Sequence, residues 1–342
     1  MEPWACEFRG RLEEHWLESR ALRDNPLGDP HVRPLWVSVP ASYDEGDDRY
    51  PTVYVLHSLA AQLDMWRNRK PFARTFPEAV DHLFASGQAP PCLVVWVDAW
   101  TSLGGSQFLD SPATGRYHTY LCEEVVAWVD RHYRTLPHPA HRALMGHSSG
   151  GYGAIVTAMR RPDLFGGFAS HAGDCLFEAC YLPDFPKAVR ALRLEYGGSY
   201  ERFWEDFRSR PGFTKESDGV LLNVYCMAAC YSAEPDGTVR LPFDPTTGAL
   251  DLEVWARWLA HDPVRLAPHH AEALRCMRAV YLEAGRRDEY FLDLGAEALR
   301  QALAAAGVAE VGCELFEGRH GGVDHRFPLG LRYLAERLAP EW

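Results

Sequence analysis

The stretch Gly146-His147-Ser148-Ser149-Gly150 narrows the folds open to this chain more than any other feature. Gly-x-Ser-x-Gly carries weight only where an apolar strand enters it and a helix leaves it. Both flanks are present: Arg142-Ala143-Leu144-Met145 before it, and the run from Gly151 to Arg160, rich in small and apolar residues, after it. A strand turning this sharply into a helix holds its central residue in a sparsely populated backbone conformation, which glycines two positions to either side make sterically feasible. Ser148 is then lifted to a helix start, where unpaired N–H groups and the positive end of the dipole favour a negative oxygen, with Ser149 N–H as the expected donor. A turn in which Ser148 merely caps the helix is the plainer alternative. His147 adjoins Ser148, but neighbouring side chains diverge in such a turn, so it is not expected to act as the base.

Six more apolar runs of strand length recur along the chain: Leu35–Val39, Thr52–Leu56, Leu93–Val97, Phe168–Ser170, Ala279–Leu282 and Glu314–Phe316. The later ones are nearly unbroken in apolar character, as in strands covered on both faces. Their alternation with helical segments, among them Glu123–Val129 and Leu294–Ala305, predicts an α/β protein with a mostly parallel, doubly wound sheet. The turn-rich segment Asp24-Asn25-Pro26-Leu27-Gly28-Asp29-Pro30 predicts an antiparallel hairpin at the leading edge.

About a hundred residues separate the runs at Ser170 and Ala279, far more than one connection and one helix require. An inserted helical cap over 179–272 is therefore expected, dividing a core into 1–178 and 273–342. The aromatics there (Tyr196, Tyr200, Phe203, Trp204, Phe207, Phe213, Trp255 and Trp258) are read chiefly as core rather than as a substrate pocket.

A serine hydroxyl becomes a nucleophile when an imidazole takes its proton and an acid holds that imidazole's tautomer. On such a sheet the partners follow in the order Ser, then Asp or Glu, then His, at the carboxyl ends of later strands. The loop Gly285-Arg286-Arg287-Asp288-Glu289 offers Asp288, with Glu289 as competitor and with capping of a helix near Phe291 as the structural use of the same residue. The loop Glu317-Gly318-Arg319-His320-Gly321-Gly322 offers His320, with His325 as competitor; His269 and His270 lack this position.

A formal net charge of −12 argues against nucleic acid as a partner, because phosphate binding rests on clustered Lys and Arg. No apolar run reaches the ~18 residues of a membrane span, and Met1-Glu2-Pro3-Trp4-Ala5-Cys6 lacks the basic-then-apolar order of an export signal. The nine scattered cysteines fit reduced thiols, so a cytoplasmic location is expected. Cys226 and Cys230 share a helix face without a second pair at zinc-finger spacing, and no His-Glu-x-x-His, Walker loop or dinucleotide fingerprint occurs. No metal and no cofactor is expected.

Several segments together resemble the esterase family that includes esterase D, S-formylglutathione hydrolases, enterochelin-esterase-like proteins and mycolyltransferases. They are Val37-Ser38-Val39-Pro40-Ala41-Ser42-Tyr43-Asp44, Tyr54-Val55-Leu56-His57, Gly146-His147-Ser148-Ser149-Gly150-Gly151, Pro162-Asp163-Leu164-Phe165, Gly285-Arg286-Arg287-Asp288 and Gly318-Arg319-His320. The resemblance covers most of the core but not the middle insertion. It implies the α/β-hydrolase fold, Ser148, Asp288 and His320 as a catalytic triad, and Leu59 N–H beside Ser149 N–H as the oxyanion donors. The chain departs from the family at Ser58, where glycine usually follows the histidine of the first oxyanion loop.

These features lead to the expectation of a serine hydrolase that cleaves a small-molecule carboxylic ester, or thioester, through an acyl-enzyme on Ser148. An acyltransferase would use the same intermediate with an alcohol in place of water. A non-enzymatic binding protein would keep the fold alone. The sequence is also compatible with a homo-oligomer.

Overall fold

A single eight-stranded sheet runs through the computed structural model, which describes residues 5–340. Residues 1–4, on which part of the N-terminal reading rests, lie outside the described residues. The strands are β1 (Arg11–Glu18), β2 (Val32–Val39), β3 (Thr52–Leu56), β4 (Leu93–Val97), β5 (Arg142–His147), β6 (Gly167–His171), β7 (Ala279–Gly285) and β8 (Gly312–Phe316). Their order is β1-β2-β4-β3-β5-β6-β7-β8. The hairpin lies at the edge, with Arg11 opposite Val39 and Glu18 opposite Val32, and β2 also runs antiparallel to β4. All later pairings are parallel. This is the α/β-hydrolase fold.

The principal helices are α1 (Phe76–Ala85), α2 (Val126–His132), α3 (Ser149–Arg160), α4 (Phe185–Tyr196), α5 (Tyr200–Ser209), α6 (Asp218–Tyr231), α7 (Leu252–Leu259), α8 (Leu292–Ala305) and α9 (Phe327–Leu338). Side chains alternate across a strand, so each apolar run feeds two cores. Val53, Val55, Val94 and Trp96 face α1 and α9, where Phe76, Val80, Leu331 and Leu334 meet them. Tyr54, Leu56, Val95 and Val97 face the other way, into a core shared with Val126 and Val129 of α2 and Ile155 and Ala158 of α3. That double cover is why β3 and β4 are apolar at nearly every position and buried at every one.

The helix expected around Glu123–Val129 forms in two windings: a π-helical turn over Tyr120–Val125 that continues as α2. Between β6 and β7 the chain builds α4 to α7 and several short turns. Tyr196, Tyr200, Phe203, Trp204, Trp255 and Trp258 are buried there, in one cluster with Tyr152 and Val156 of α3 and Leu292 and Ala296 of α8. Phe213 is exposed. Cys226 and Cys230 are buried thiols on α6, and Cys226 Sγ lies 3.4 Å from the Gly105 carbonyl. Among the described residues no helix is long and apolar enough to cross a membrane.

Candidate active site

The turn from β5 into α3 has the strain anticipated from its sequence. Ser148 adopts φ 56°, ψ −124°, a region that non-glycine residues rarely visit. A Cβ on Gly146 would lie 2.4 Å from the Gly150 carbonyl carbon, and one on Gly150 would lie 2.1 Å from the Leu56 oxygen. Both positions therefore admit hydrogen only. The strained residue is pinned from both sides, its N–H donating to the His171 carbonyl (3.0 Å) and its carbonyl accepting from Tyr152 N–H (2.9 Å).

Three side chains from distant strand ends meet here. Ser148 Oγ lies 3.1 Å from His320 Nε2, and His320 Nδ1 lies 2.8 Å from Asp288 Oδ2. A carboxylate can only accept, so Nδ1 carries the proton and Nε2 is left free to receive one from Ser148. The Asp288 carboxylate is sealed from solvent, and its Oδ1 accepts from Tyr290 N–H (2.9 Å), so it closes its own loop as well as facing the imidazole. Tyr290 packs edge-on against the His320 ring, with centroids 4.9 Å apart.

Glu289 has a different use. Its Oε2 accepts from the backbone N–H of His320 (3.0 Å), its Oε1 pairs with Arg319, and the His320 N–H holds its carboxyl below the ordinary range. His325 is exposed on a short turn over Asp324–Arg326. His269 and His270 lie in the turn over Ala267–His270.

The first loop of the site is held by a buried imidazole. His57 Nε2 accepts from Ala99 N–H (2.8 Å), which leaves Nδ1–H to donate to the Ser58 carbonyl (2.8 Å); burial lowers the affinity of this ring for a second proton. In a trans peptide C=O and N–H point opposite ways, so fixing the Ser58 carbonyl toward His57 turns the Leu59 N–H away from it. Leu59 and Ser149 line the same cavity as Ser148, and no acceptor among the described residues takes either N–H.

The serine that departs from the family pattern has partners. Ser58 Oγ lies 2.9 Å from His147 Nδ1 and 3.0 Å from the His147 carbonyl, while His147 Nε2 lies 3.0 Å from the His320 carbonyl. Burial, with the neighbouring His320 adding to it, pushes the His147 imidazole down to about 3, so it is neutral at ordinary pH. His147 is thus a strut between two loops rather than a base.

Beneath Ser148, the His171 whose carbonyl holds its N–H donates Nδ1–H to Glu283 (2.6 Å), and Glu283 also takes Tyr281 O–H (2.8 Å) and Arg326 Nε–H (2.9 Å). Burial opposes ionisation of Glu283, but these three contacts outweigh it and keep the carboxyl below its usual range. This brace across the ends of β6 and β7 was not anticipated from sequence, and neither were two residues of the cavity wall, Asp174 and Tyr290. The only local signal for Asp174 is its place just beyond the carboxyl end of β6.

The cavity at Ser148 holds about 260 Å³, with Leu59, Asp174, Tyr181, Leu222, Tyr290 and His320 among its walls. Among the described residues no group of three or more His, Cys, Asp or Glu side chains is placed to hold a metal ion. The arrangement supplies a hydroxyl, a proton acceptor 3.1 Å away, a buried carboxylate behind that acceptor and two unengaged N–H groups at one cavity.

Comparison with known proteins places the fold among esterases. The chain is 24% identical over 151 residues to an endo-1,4-beta-xylanase/feruloyl esterase of Xylanibacter ruminicola, covering 44% of this chain and 20% of that protein. This chain thus matches about a fifth of the length of that curated relative. Among solved structures, a ferulic acid esterase superposes with a TM-score of 0.63 at 19% identity, covering 97% of this chain and 100% of that one. An S-formylglutathione hydrolase from Agrobacterium tumefaciens superposes with a TM-score of 0.56 at 16% identity, covering 98% of each chain. The family model described as "Putative esterase" matches residues 31–329, which takes in the whole sheet from β2 to β8 and all three residues that meet at the cavity. The chain belongs to this esterase family.

Proposed function

We propose that the protein hydrolyses a small-molecule carboxylic ester, or thioester, through an acyl-enzyme on Ser148. The observation that carries this reading is the unbroken series Asp288–His320–Ser148, at 2.8 and 3.1 Å, opening on a cavity. Ser148 Oγ attacks the carbonyl carbon as His320 Nε2 takes its proton, and the carbonyl oxygen, now negative, lies against the N–H groups of Leu59 and Ser149. Each such donor contributes about 10²–10³ in turnover where it has been removed from other hydrolases. Collapse of this intermediate expels the alcohol or thiol, which receives the proton from Nε2. Water then gives a proton to Nε2 and its oxygen attacks the acyl carbon; collapse releases the acid and returns the proton to Oγ. Asp288 holds the imidazole tautomer throughout and stabilises its charged form.

Residues 179–272 act as a cap in this scheme, supplying Tyr181 and Leu222 to the cavity wall. Buried thiols at Cys92, Cys175, Cys180, Cys226 and Cys230 fit a reducing, cytoplasmic setting. The acidic charge fits a small-molecule partner rather than nucleic acid.

The test is Ser148→Ala, assayed with p-nitrophenyl acetate and a fluorophosphonate label. Turnover is expected to fall by about 10⁴-fold or more, with labelling abolished. Retention of both would refute the assignment.

A further inference from the structure

The cavity contains a carboxylate that the chemistry at Ser148 does not use. Asp174 is only 8% exposed, and its two hydrogen bonds, from Gln107 Nε2 and Tyr181 O–H at 2.9 Å each, both fall on Oδ2. Oδ1 accepts nothing from the described residues and is not fully enclosed, and Asp174 lines the cavity together with Ser148 and His320. Both partners of Asp174 are neutral. Burial therefore raises its carboxyl above the ordinary range, against the opposing pull of Gln107 and Tyr181.

This arrangement is held in place at a conformational cost. Gln107 and Phe108 are consecutive non-glycine residues with φ of 51° and 54°, and Gln107 Nε2 also reaches Tyr231 Oη at 2.8 Å. A buried carboxylate with vacant lone pairs and no cation beside it is unfavourable until something supplies the missing charge and donors.

The approach to the cavity has the matching sign. Asn223 and Tyr290 line both the cavity and a wider outer cleft of about 600 Å³. The ionisable groups of that cleft include Asp184, Glu195, Glu216 and Glu289 against Lys187 and Arg190; with Lys187 paired to Asp184 at 2.9 Å and Glu289 to Arg319 at 3.0 Å, Glu195 and Glu216 remain against Arg190. An excess of carboxylates along the way in favours cations over anions.

We propose that Asp174 Oδ1 receives a protonated amine of the substrate, so that the preferred ester carries an ammonium group on its acyl or its alcohol part. This inference rests on the reading of Ser148 as the nucleophile and names the substrate class of that site. The ammonium group donates a hydrogen bond to Oδ1 and supplies the positive charge that Gln107 and Tyr181 lack.

The experiment compares kcat/KM within two matched sets: p-nitrophenyl esters of ε-aminohexanoate, ω-hydroxyhexanoate and hexanoate, and the acetates of aminobutanol, butanediol and pentanol. The wild-type protein is expected to favour the amino ester in at least one set by about tenfold or more, chiefly through KM, and Asp174→Asn is expected to bring that ratio close to one. The ratio is read on protein that labels with fluorophosphonate. A ratio at or below one in both sets, an equal or greater preference for the hydroxy ester, or a ratio unmoved by Asp174→Asn overturns the proposal. If Asp174→Asn does not fold, butylammonium and butanol are compared as competitive inhibitors of the wild-type protein. Inhibition about tenfold tighter by the ammonium supports the site, and equal inhibition overturns it. Failure of the ester-hydrolase reading would show separately, as acetate turnover that survives Ser148→Ala.

Discussion

The hydroxyl of Ser58 lies 2.9 Å from Nδ1 of His147, and Nε2 of the same ring lies 3.0 Å from the carbonyl oxygen of His320. A carbonyl only accepts, so Nε2 carries the ring proton, and Nδ1 shares the single hydroxyl hydrogen of Ser58 with the His147 carbonyl. The residue that breaks the family's glycine pattern thus ties the loop bearing Leu59 to the loop bearing His320 through one neutral imidazole.

Ser58→Gly removes that tie and leaves a buried ring nitrogen without a donor. A loss of about 1–2 kcal/mol of positioning corresponds to a fall in kcat of about 5–30-fold, with KM changed less. Ser58→Ala should do the same without loosening the backbone. Steady-state kinetics on p-nitrophenyl acetate checks both variants, and wild-type kcat in each would remove the role.

His57→Leu frees the Ser58 carbonyl and leaves Ala99 N–H without its acceptor. If the imidazole aims Leu59 N–H at the developing oxyanion, kcat should drop by about 10²-fold while fluorophosphonate labelling slows rather than vanishes. Labelling and turnover at wild-type rates would show that Leu59 needs no such support.

The two adjacent acids should separate sharply. Asp288→Asn cannot hold the imidazole tautomer and is expected to lower kcat by about 10⁴-fold. Glu289→Gln keeps an oxygen for the His320 backbone N–H and should cost about tenfold or less. Equal losses would mean that the acid has been assigned to the wrong residue.

Stability should fall on mild acidification. His147 is held down at about 3 and His261 at about 4, both chiefly by burial, while unfolded histidines take a proton near 6.5. Between those values the unfolded chain binds more protons than the folded one. The stabilising effect is complete above pH ~6.5 and is lost as pH falls toward ~4, at up to about 1.4 kcal/mol per pH unit for each ring. Urea midpoints measured between pH ~7.5 and ~4.5 check this. His147→Gln should flatten the slope, and an unchanged slope would exclude His147 as a source.

Gly150→Ala tests the elbow itself. Its methyl would sit 2.1 Å from the Leu56 oxygen, a backbone atom of β3 that cannot swing aside. A loss of about 3 kcal/mol or more, seen in a lowered urea midpoint or insoluble protein, is expected; near-normal stability would show that β3 and α3 can part.

Much of this was legible beforehand for a local reason. Thr52–Leu56 and Leu93–Val97 announced themselves because strands covered on both faces must be apolar throughout, and the observed bounds coincide with those runs. The Asp24–Pro30 turn marked the edge hairpin through the same kind of signal, turn chemistry between two strands. Ser148, Asp288 and His320 could be picked out as candidates because each sits just past a strand end, where side chains converge.

What stayed hidden depends on direction rather than position. Adjacent acids look alike in sequence, yet loop closure by Tyr290 N–H turns Asp288 to the imidazole, while Glu289 reaches the His320 backbone. Nothing near Asp174 shows that Gln107, 67 residues earlier, will bind only one of its oxygens.

The sequence by itself determined the strand pattern, the strained serine turn and the order of three reactive side chains, because burial periodicity and glycine sterics act over a few neighbouring residues. Only the tertiary structure decided which acid faces His320, that Ser58 joins two loops through His147, and that Asp174 takes both of its hydrogen bonds on one oxygen. Those outcomes are set by hydrogen bonds between segments far apart in the chain, whose geometry does not exist until the sheet has assembled.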